Sequence, residues 1–449
     1  MKRTIFFLAI ILFAYKGFGE ETINLEQVRT LALANSRNLA KSNLAILSTL
    51  LDERTRLYSD LPSLSLGAGA SVTLWNAGAN PPIENPFDTF SANMSFGISQ
   101  SIFEGGRSRI QKAIYAIASE SARKDALTEY FNILDSADNA YYAVLEAAAT
   151  LEAEESSLQT ALAGLAIAEI RQAGGIINRG DYLKALADKE TRENSRNQAR
   201  RNLALCITKL RSLTGLSSIP VSVVQIDFSG YEALMLRLGN ISDEDADYLY
   251  GEFWKLLVQA NPSLAKAGLA SQRAEKNLNM EKLRFSPSLT ASFSTGLNLP
   301  PDDIKMSAGR VSLSLRIPID FWVLSNNVEK STIARDSAVL DFISTESQLE
   351  TELQSALLNI FANAGSALSS QRSLEYAERH FEFVMERYRL SQSSVSDLGE
   401  ASTLLINSRN NLTRARYGFL QSLSRLRSLG AIDDEERLLK ILMVHDIIK

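Results

Sequence analysis

The sequence predicts an α+β membrane protein in which each chain supplies four β-strands to a barrel and long α-helices form most of the remainder. Four stretches alternate apolar residues with small polar ones for about a dozen residues each, which is typical of barrel strands. Helical segments of up to about 65 residues, with almost no internal Gly or Pro, fill most of the rest. Such helices, roughly 100 Å long at 1.5 Å per residue, indicate a coiled-coil wall.

The N-terminus carries the features of an export signal. Lys2 and Arg3 precede an apolar run, Ile5–Ala14, and small residues close the segment. These features predict a signal peptide over residues 1–19. No later stretch reaches the roughly 20 apolar residues of an inner-membrane helix, so we expect the mature chain to cross that membrane completely. Residue 20 is not a cysteine, so no lipid anchor is expected there.

The charge balance is acidic. The chain has 47 Lys and Arg against 52 Asp and Glu residues, and loss of the three basic residues of the signal leaves 44 against 52, a net charge of −8. Nucleic acid is therefore not an expected partner. The single cysteine, Cys206, lies in a helical pattern between two apolar residues and is expected to pack as a small apolar side chain.

The four predicted strands cover residues 63–75, 90–103, 287–298 and 306–319. Successive side chains of a strand face opposite sides of the sheet, so one parity is apolar and the other is Ser, Thr, Asn and Gly. About 12 residues tilted near 45° climb roughly 28 Å, which matches the apolar band of an outer-membrane barrel. The small polar parity suits a water-filled lumen.

One charged residue, Arg316, shares the polar parity of the fourth strand with Ser312 and Ser314. We expect it to face the barrel lumen, because an arginine on the lipid side at the midplane costs roughly 2–4 kcal/mol. This position is consistent both with a pore-lining role of Arg316 and with a salt bridge from Arg316 within the lumen.

Four strands are too few to close a barrel. The smallest membrane barrels have about eight strands, and an open edge in lipid leaves backbone groups unpaired at several kcal/mol each. The chain is therefore expected to form a homo-oligomer in outer-membrane lipid.

The mature chain divides into two similar halves. We place the first structural repeat at 20–216, a linker at 217–249, the second repeat at 250–430 and a C-terminal tail at 431–449. The linker is expected to hold a short apolar strand, Val221–Ile226, and a solvated acidic run, Asp243–Asp247. The tail is expected to form a short docked helix.

Ordered matches between the halves support the duplication. Each half reads as helix, two strands, long helix, turn and helix. The matching pairs are Leu39 with Leu264, Pro62 with Pro287, and, at a constant offset of 216, Gly175 with Ser391, Asn178 with Ser394, and Asp181 with Asp397.

Several segments resemble the TolC family of outer-membrane efflux proteins over nearly the whole mature chain. Pro62 and Pro287 stand at the strand entries, each followed by Ser and Leu, and Gly105 with Gly106 follows the second strand. The most specific feature is a helix-turn motif of Arg, Tyr, Gly, Ser and Asp. It reads here as Arg387, Tyr388, Ser391, Ser394 and Asp397, and in the first half as Gly175, Asn178 and Asp181.

The resemblance implies a homotrimer whose twelve strands form one barrel that continues into a periplasmic tunnel of twelve helices. It implies an outer-membrane exit duct of a tripartite efflux or type I secretion system. The implied partners are a periplasmic adaptor (membrane fusion) protein and an inner-membrane RND or ABC pump. No cofactor is implied.

The resemblance also places a gate at the periplasmic tip. Asp397 and Glu400 lie three residues apart at a helix start and so share a face. Three copies would form a ring of carboxylates that attracts cations, although acidic residues in a first turn are also common caps. Tyr388 matches a family position that helps to close the tip, and Asp181 is a weaker candidate.

Two hairpin turns are the expected adaptor contacts. Their candidate residues are Gly174, Gly175, Asn178, Ser391 and Ser394. Ser391 replaces the turn glycine of the family, so the geometry of the second turn is not fixed by the motif. Ser393 replaces a basic residue that locks the closed tip in some relatives.

Two other classes were weighed against a channel. An enzyme is not expected, because the chain has only two histidines, His380 and His445, and no paired metal-ligand spacing or nucleophile motif. A periplasmic coiled-coil scaffold or adaptor protein remains as the alternative, since it would explain the helices without a pore.

Overall fold

The computed structural model describes residues 23–72, 90–216, 226–299 and 305–443. Within them the chain is helical apart from one four-stranded sheet, as the α+β prediction requires. The predicted signal peptide, the loops between the paired strands, most of Val221–Ile226 and His445 lie outside the described residues.

Among the described residues, the elements form two similar halves, each with two helices, two strands and two more helices, and one short helix lies between the halves and another after them. In chain order they are α1 (Leu25–Asn35), α2 (Arg37–Tyr58), β1 (Ser63–Ser71), β2 (Ser91–Phe103), α3 (Arg107–Ala173), α4 (Arg179–Thr214), α5 (Ser229–Gly239), α6 (Asp243–Ala260), α7 (Pro262–Lys282), β3 (Ser288–Leu299), β4 (Lys305–Arg316), α8 (Phe321–Arg389), α9 (Val395–Leu429) and α10 (Glu435–Met443). A short 3₁₀ turn, Leu283–Phe285, joins α7 to β3.

The sheet has the order β1-β2-β3-β4 with every neighbouring pair antiparallel. Its register places the apolar parity of all four strands on one face, as in the row that joins Leu64, Ile98, Phe293 and Val311. Large apolar side chains on this face are open to the surroundings, with Val311 81% exposed. One continuous exposed apolar face is what a lipid-facing sheet requires.

The opposite face is lined by small polar residues that are close across the strands. Ser63 and Ser99 pair their hydroxyls at 2.6 Å, and Ser292 and Ser312 do so at 2.7 Å. At Gly296 a Cβ atom would lie 2.8 Å from the carbonyl oxygen of Met94. The small residues therefore permit close strand packing as well as a polar surface.

Two units can be distinguished along the chain. The described parts of Ala40–Leu127 and Pro262–Ser347 form the sheet unit. The described parts of Met1–Leu39, Thr128–Asn261 and Gln348–Lys449 form the helical unit. Helices α2, α3 and α8 have residues in both.

In the sheet unit, the corner around β1 and β2 is held by ionic contacts. Asp60 lies 2.5 Å from the Lys112 ammonium and 3.0 Å from the Arg56 guanidinium, and it accepts a hydrogen bond from Ser108 at 2.9 Å. The corresponding corner of the second half instead stacks Phe285 on Phe321, with ring centroids 6.2 Å apart.

In the helical unit, the buried carboxylate of Asp138 ties three helices together. Its side chain is 0% exposed and pairs with Arg29 of α1 at 2.6 Å and Arg427 of α9 at 2.9 Å. Ser424 donates a further hydrogen bond to it at 2.7 Å. The tail helix α10 joins this network, because Glu435 lies 3.5 Å from the Arg29 guanidinium. Glu435 also accepts a hydrogen bond from Tyr231 at 3.1 Å.

The described part of the predicted linker is largely helical, and α6 includes the acidic run, whose Asp243, Glu244 and Asp247 are exposed. Asp243 opens α6, with Ser242 as its N-cap and acidic residues throughout the first turn. Such charges favour a helix N-terminus. Leu249, Phe253 and Leu257 recur every four residues and are buried, so this segment packs as an amphipathic helix.

Among the described residues, no helix has an apolar stretch long enough to cross a bilayer.

Candidate functional site

The candidate tip consists of two helical turns in the helical unit. The first joins α3 to α4 between Ala173 and Arg179, and the second joins α8 to α9 between Arg389 and Val395. The two turns occupy matching positions in the duplicated halves.

The first turn is a Schellman motif built on Gly175. The Gly175 amide donates to the Gln172 carbonyl at 3.0 Å, and the Ile176 amide donates to the Arg171 carbonyl at 2.8 Å. Gly175 has φ +69°, the left-handed region that this motif requires. Its position matches the prediction of a turn glycine.

The second turn has the same hydrogen bonds although Ser391 stands in place of the glycine. The Ser391 amide donates to the Tyr388 carbonyl at 3.1 Å, and the Gln392 amide donates to the Arg387 carbonyl at 2.8 Å. Ser391 takes φ +63°, where an L-residue with a Cβ is strained. The Arg387 guanidinium also donates to the Gln392 carbonyl at 3.1 Å and supports the turn.

Each turn ends in a helix N-cap. The Asn178 side chain accepts from the Asp181 amide at 2.9 Å. In the second half the cap is a reciprocal box: the Asp397 amide donates to Ser394 Oγ at 3.1 Å, and the Ser394 amide donates to Asp397 Oδ2 at 2.9 Å. Ser393 donates to the same carboxylate oxygen at 3.0 Å.

These contacts keep the Asp397 carboxylate ionised. The hydrogen bond from the Ser394 amide lowers the pKa of Asp397 most, followed by those from the Ser393 and Ser394 hydroxyls, and the Arg387 charge adds to them. The side chain is nonetheless exposed. Asp397 therefore acts as a cap within its own chain and still presents a negative charge at the surface.

The other two acidic candidates lie close by on the starts of α4 and α9. Glu400 is exposed, one helical turn after Asp397. Asp181 lies 3.9 Å from the Lys184 ammonium, so its charge has a nearby cation.

Tyr388 is a buried anchor between the two helical hairpins. Its side chain is 0% exposed, and its hydroxyl donates to the Gly164 carbonyl of α3 at 3.2 Å. The Arg171 guanidinium lies 4.3 Å from the centre of its ring, which is a cation–π geometry. Burial raises the pKa of Tyr388. The residue thus links the end of α8 to α3.

A second link between the hairpins was not predicted. The Arg192 guanidinium of α4 donates to Thr403 Oγ1 of α9 at 2.6 Å and to Asp188 at 3.3 Å. The Lys184 ammonium lies 3.5 Å from Ser396 Oγ. The spacing of Asp188 and Arg192 predicts an ion pair within α4. The contact of Arg192 with Thr403, 211 residues away, could not be predicted from the sequence.

In the sheet unit, the polar face carries two exposed arginines. Arg316 lies opposite Ser288, as the parity predicted, and Arg310 lies opposite Ser294 on the same face. Arg310 was missed, although the same parity rule identifies it.

Within residues 23–72, 90–216, 226–299 and 305–443, no group of three or more His, Cys, Asp or Glu side chains is placed to hold a metal ion. The arrangement therefore offers charge, capping and interhelical contacts as its chemistry.

Comparisons with known proteins give a consistent result. The sequence model of the family described as "Outer membrane efflux protein" matches residues 28–216 and 254–431. The chain is 24% identical over 451 residues to the outer membrane protein TolC of Escherichia coli (strain K12), covering 92% of this chain and 84% of that one. Two solved structures share the fold. The Campylobacter jejuni CmeC outer membrane channel has a TM-score of 0.75 at 17% identity, over 93% of this chain and 89% of that chain. The outer membrane protein VceC of Vibrio cholerae has a TM-score of 0.72 at 16% identity, over 90% and 96%.

Proposed function

The chain belongs to the outer membrane efflux protein family, and from that premise we propose that it is an exit duct whose periplasmic end is gated by the two helical turns. The protein is an outer-membrane channel for efflux that extends into the periplasm. Its family is one of transport proteins. We also propose a gate at the helical turns, a trimeric assembly and partner proteins.

The open sheet supports assembly as a trimer with a shared barrel. Both edge strands, β1 and β4, have one side without a partner among the described residues, and such edges are costly in lipid. Three copies would bring the β4 edge of one chain to the β1 edge of the next and close a twelve-stranded barrel. A periplasmic scaffold, which is surrounded by water, would not require a sheet with one exposed apolar face.

The acidic pair at the start of α9 is the proposed selectivity ring. Asp397 and Glu400 are both exposed and one helical turn apart, and the hydrogen bonds to Asp397 hold it in the charged form. Three copies would place six carboxylates around the narrow end, which attracts cations to that end of the duct. Asp181 contributes less to this negative charge than Asp397 and Glu400, because the Lys184 ammonium 3.9 Å away partly offsets it.

The contacts between hairpins are the proposed latch. Tyr388 joins α8 to α3, and Arg192 joins α4 to α9. Opening by rotation of one hairpin against the other would break both contacts. The latch would therefore have to be released by the partner that opens the duct.

The turns themselves are the proposed adaptor contacts. Gly174, Gly175 and Asn178 form one turn, and Ser391 and Ser394 form the other. A periplasmic adaptor protein would dock there and connect the duct to an inner-membrane RND or ABC pump, which supplies the transport energy.

The gate is tested by neutralising its charge without removing the cap. In Asp397→Asn with Glu400→Gln, the amide oxygens still accept hydrogen bonds while six charges leave the ring. In planar bilayers we expect the cation-to-anion permeability ratio to fall by about threefold or more, with a rise in single-channel conductance.

A matched control is Asp243→Asn with Glu244→Gln, an exposed acidic pair in the first turn of α6. It removes the same charge away from the turns and should leave both quantities unchanged. Equal permeability ratios in all three proteins would exclude Asp397 and Glu400 from the gate.

A further inference from the structure

The four strands contain basic residues but no acidic ones. Their sequences include Lys305, Arg310 and Arg316 and lack Asp and Glu altogether. Arg310 and Arg316 are exposed on the polar face, and neither forms an ion pair among the described residues. From this we infer that Arg310 and Arg316 form a positively charged collar in the barrel lumen that attracts organic anions. The inference rests on the proposed shared barrel and adds a substrate class to it.

The neighbours of both arginines are small and uncharged. Arg316 lies opposite Ser288 and Arg310 opposite Ser294, and Ser314 lies between them opposite Thr290. Short neighbours leave long side chains free to extend into the lumen, and none of them can neutralise a guanidinium. Each guanidinium group is a cation with five N–H donors.

Closure of the barrel does not supply the missing carboxylates. β4 is an edge strand, so its outer neighbour is β1 of the next copy. On its polar face β1 carries only serine and glycine, at Ser63, Ser65, Gly67, Gly69 and Ser71. Among its described residues, β1 therefore offers neither arginine a carboxylate.

The two arginines act at two levels of the barrel. They are six residues apart on one strand, which is roughly 20 Å at 3.3 Å per residue. Three copies would give two rings of three guanidinium groups. A low-dielectric wall with charge of one sign concentrates the field in the lumen and raises the local concentration of the opposite ion.

The local potential is measured directly with a thiol placed between the rings. Ser314→Cys is made in a Cys206→Ser background, and the purified protein in mild detergent is treated with two methanethiosulfonate reagents. One reagent carries a sulfonate and the other a trimethylammonium group. The ratio of the two reaction rates reports the potential at residue 314, because any change in the thiol itself affects both reagents equally.

We expect the sulfonate reagent to be favoured, and the ratio to fall by about tenfold when Arg310→Gln and Arg316→Gln are added. The matched variant, Arg310→Lys with Arg316→Lys, retains the charge and should retain the ratio. An unchanged ratio in the glutamine variant would overturn the collar. So would a thiol at residue 314 that neither reagent modifies in folded protein, since the face would then be closed to water.

Passage of anions is measured in bilayers with two ions of similar size, benzenesulfonate and benzyltrimethylammonium. The glutamine variant should lower the relative permeability of benzenesulfonate about fivefold, whereas the lysine variant should not. Equal permeability in both variants would contradict the anion preference. If no protein carries current but the ratio of the two thiol reaction rates still depends on the arginine charge, the collar is supported and the proposed duct function is excluded.

Discussion

At the scale of single residues, the second turn shows a strain that the first avoids. Ser391 occupies a left-handed conformation that Gly175 adopts freely, and both turns make the same pair of hydrogen bonds. The serine costs about 1–2 kcal/mol in this conformation, and glycine would cost roughly 0.5–1 kcal/mol in added freedom of the unfolded chain. The strain therefore outweighs the entropy term.

Ser391→Gly is expected to stabilise the second turn by about 0.5–1 kcal/mol. Hydrogen exchange at the Gln392 amide, which closes the turn, should slow about two- to fivefold. The reverse change, Gly175→Ser, should speed exchange at Ile176 by a similar factor. Faster exchange in Ser391→Gly would mean that the serine hydroxyl supports the turn more than its backbone strain weakens it.

Tyr388 is expected to hold the two hairpins together through its hydroxyl. Tyr388→Phe keeps the ring against Arg171 but removes the hydroxyl that donates to the Gly164 carbonyl, at a cost of about 0.5–1.5 kcal/mol. If the contact is a latch, the variant channel should spend a larger fraction of time open in bilayers. Tyr376→Phe on the same helix, where the side chain is 64% exposed, is the control. Identical open fractions in the two variants would assign Tyr388 to packing alone.

Residue positions in the turns could be predicted, but their surroundings could not. The motif spacing located Gly175, Asn178, Tyr388 and Asp397 along the chain. It could not show that Tyr388 contacts a carbonyl 224 residues away, because such contacts depend on how helices from different halves pack. The charge of Arg310 was readable from strand parity and was simply missed.

At the scale of elements, the start of α9 depends on its capping box. Ser394→Ala should weaken the first turn of α9 by about 1 kcal/mol and speed hydrogen exchange at Asp397 and Leu398. Ser369→Ala, at an exposed interior position of α8, is the matched control and should have little effect. Unchanged exchange in Ser394→Ala would show that packing of Leu398 alone fixes the helix start.

The same cap gives the turn a defined response to acid. The pKa of Asp397 is lower in the folded chain than its usual value near 4, so its contribution is complete at neutral pH. That contribution decreases only as the pH falls through the lowered pKa. The cap and the charge that Asp397 brings to the proposed ring therefore persist through mildly acidic conditions.

Periodicity predicted the strands and the long helices because each carries one pattern over many residues. The four strands alternate with a period of two, and the register joins equal parities across the sheet. The start of α6 at Asp243 was not predicted, because an acidic run is also typical of a solvated loop. Its amphipathic spacing and the Ser242 cap were the stronger signals.

At the scale of the whole molecule, the open sheet has two edges, on β1 and β4, whose backbone groups a single chain leaves unpaired among its described residues. The predicted fold is confirmed within one chain, whereas assembly follows from the physics of an exposed edge in lipid. The sequence alone could predict that the chain must assemble with other copies. It could not predict which helices pack together, because contacts such as those of Asp138 join residues hundreds of positions apart.

The number of chains in the purified particle tests the shared barrel most directly. The protein would be extracted from outer membranes in mild detergent, and its mass would be measured by native mass spectrometry. We expect three chains per particle, with β4 of each copy paired with β1 of the next. A folded particle of one chain would contradict this expectation, since four strands with two open edges cannot form a channel in lipid.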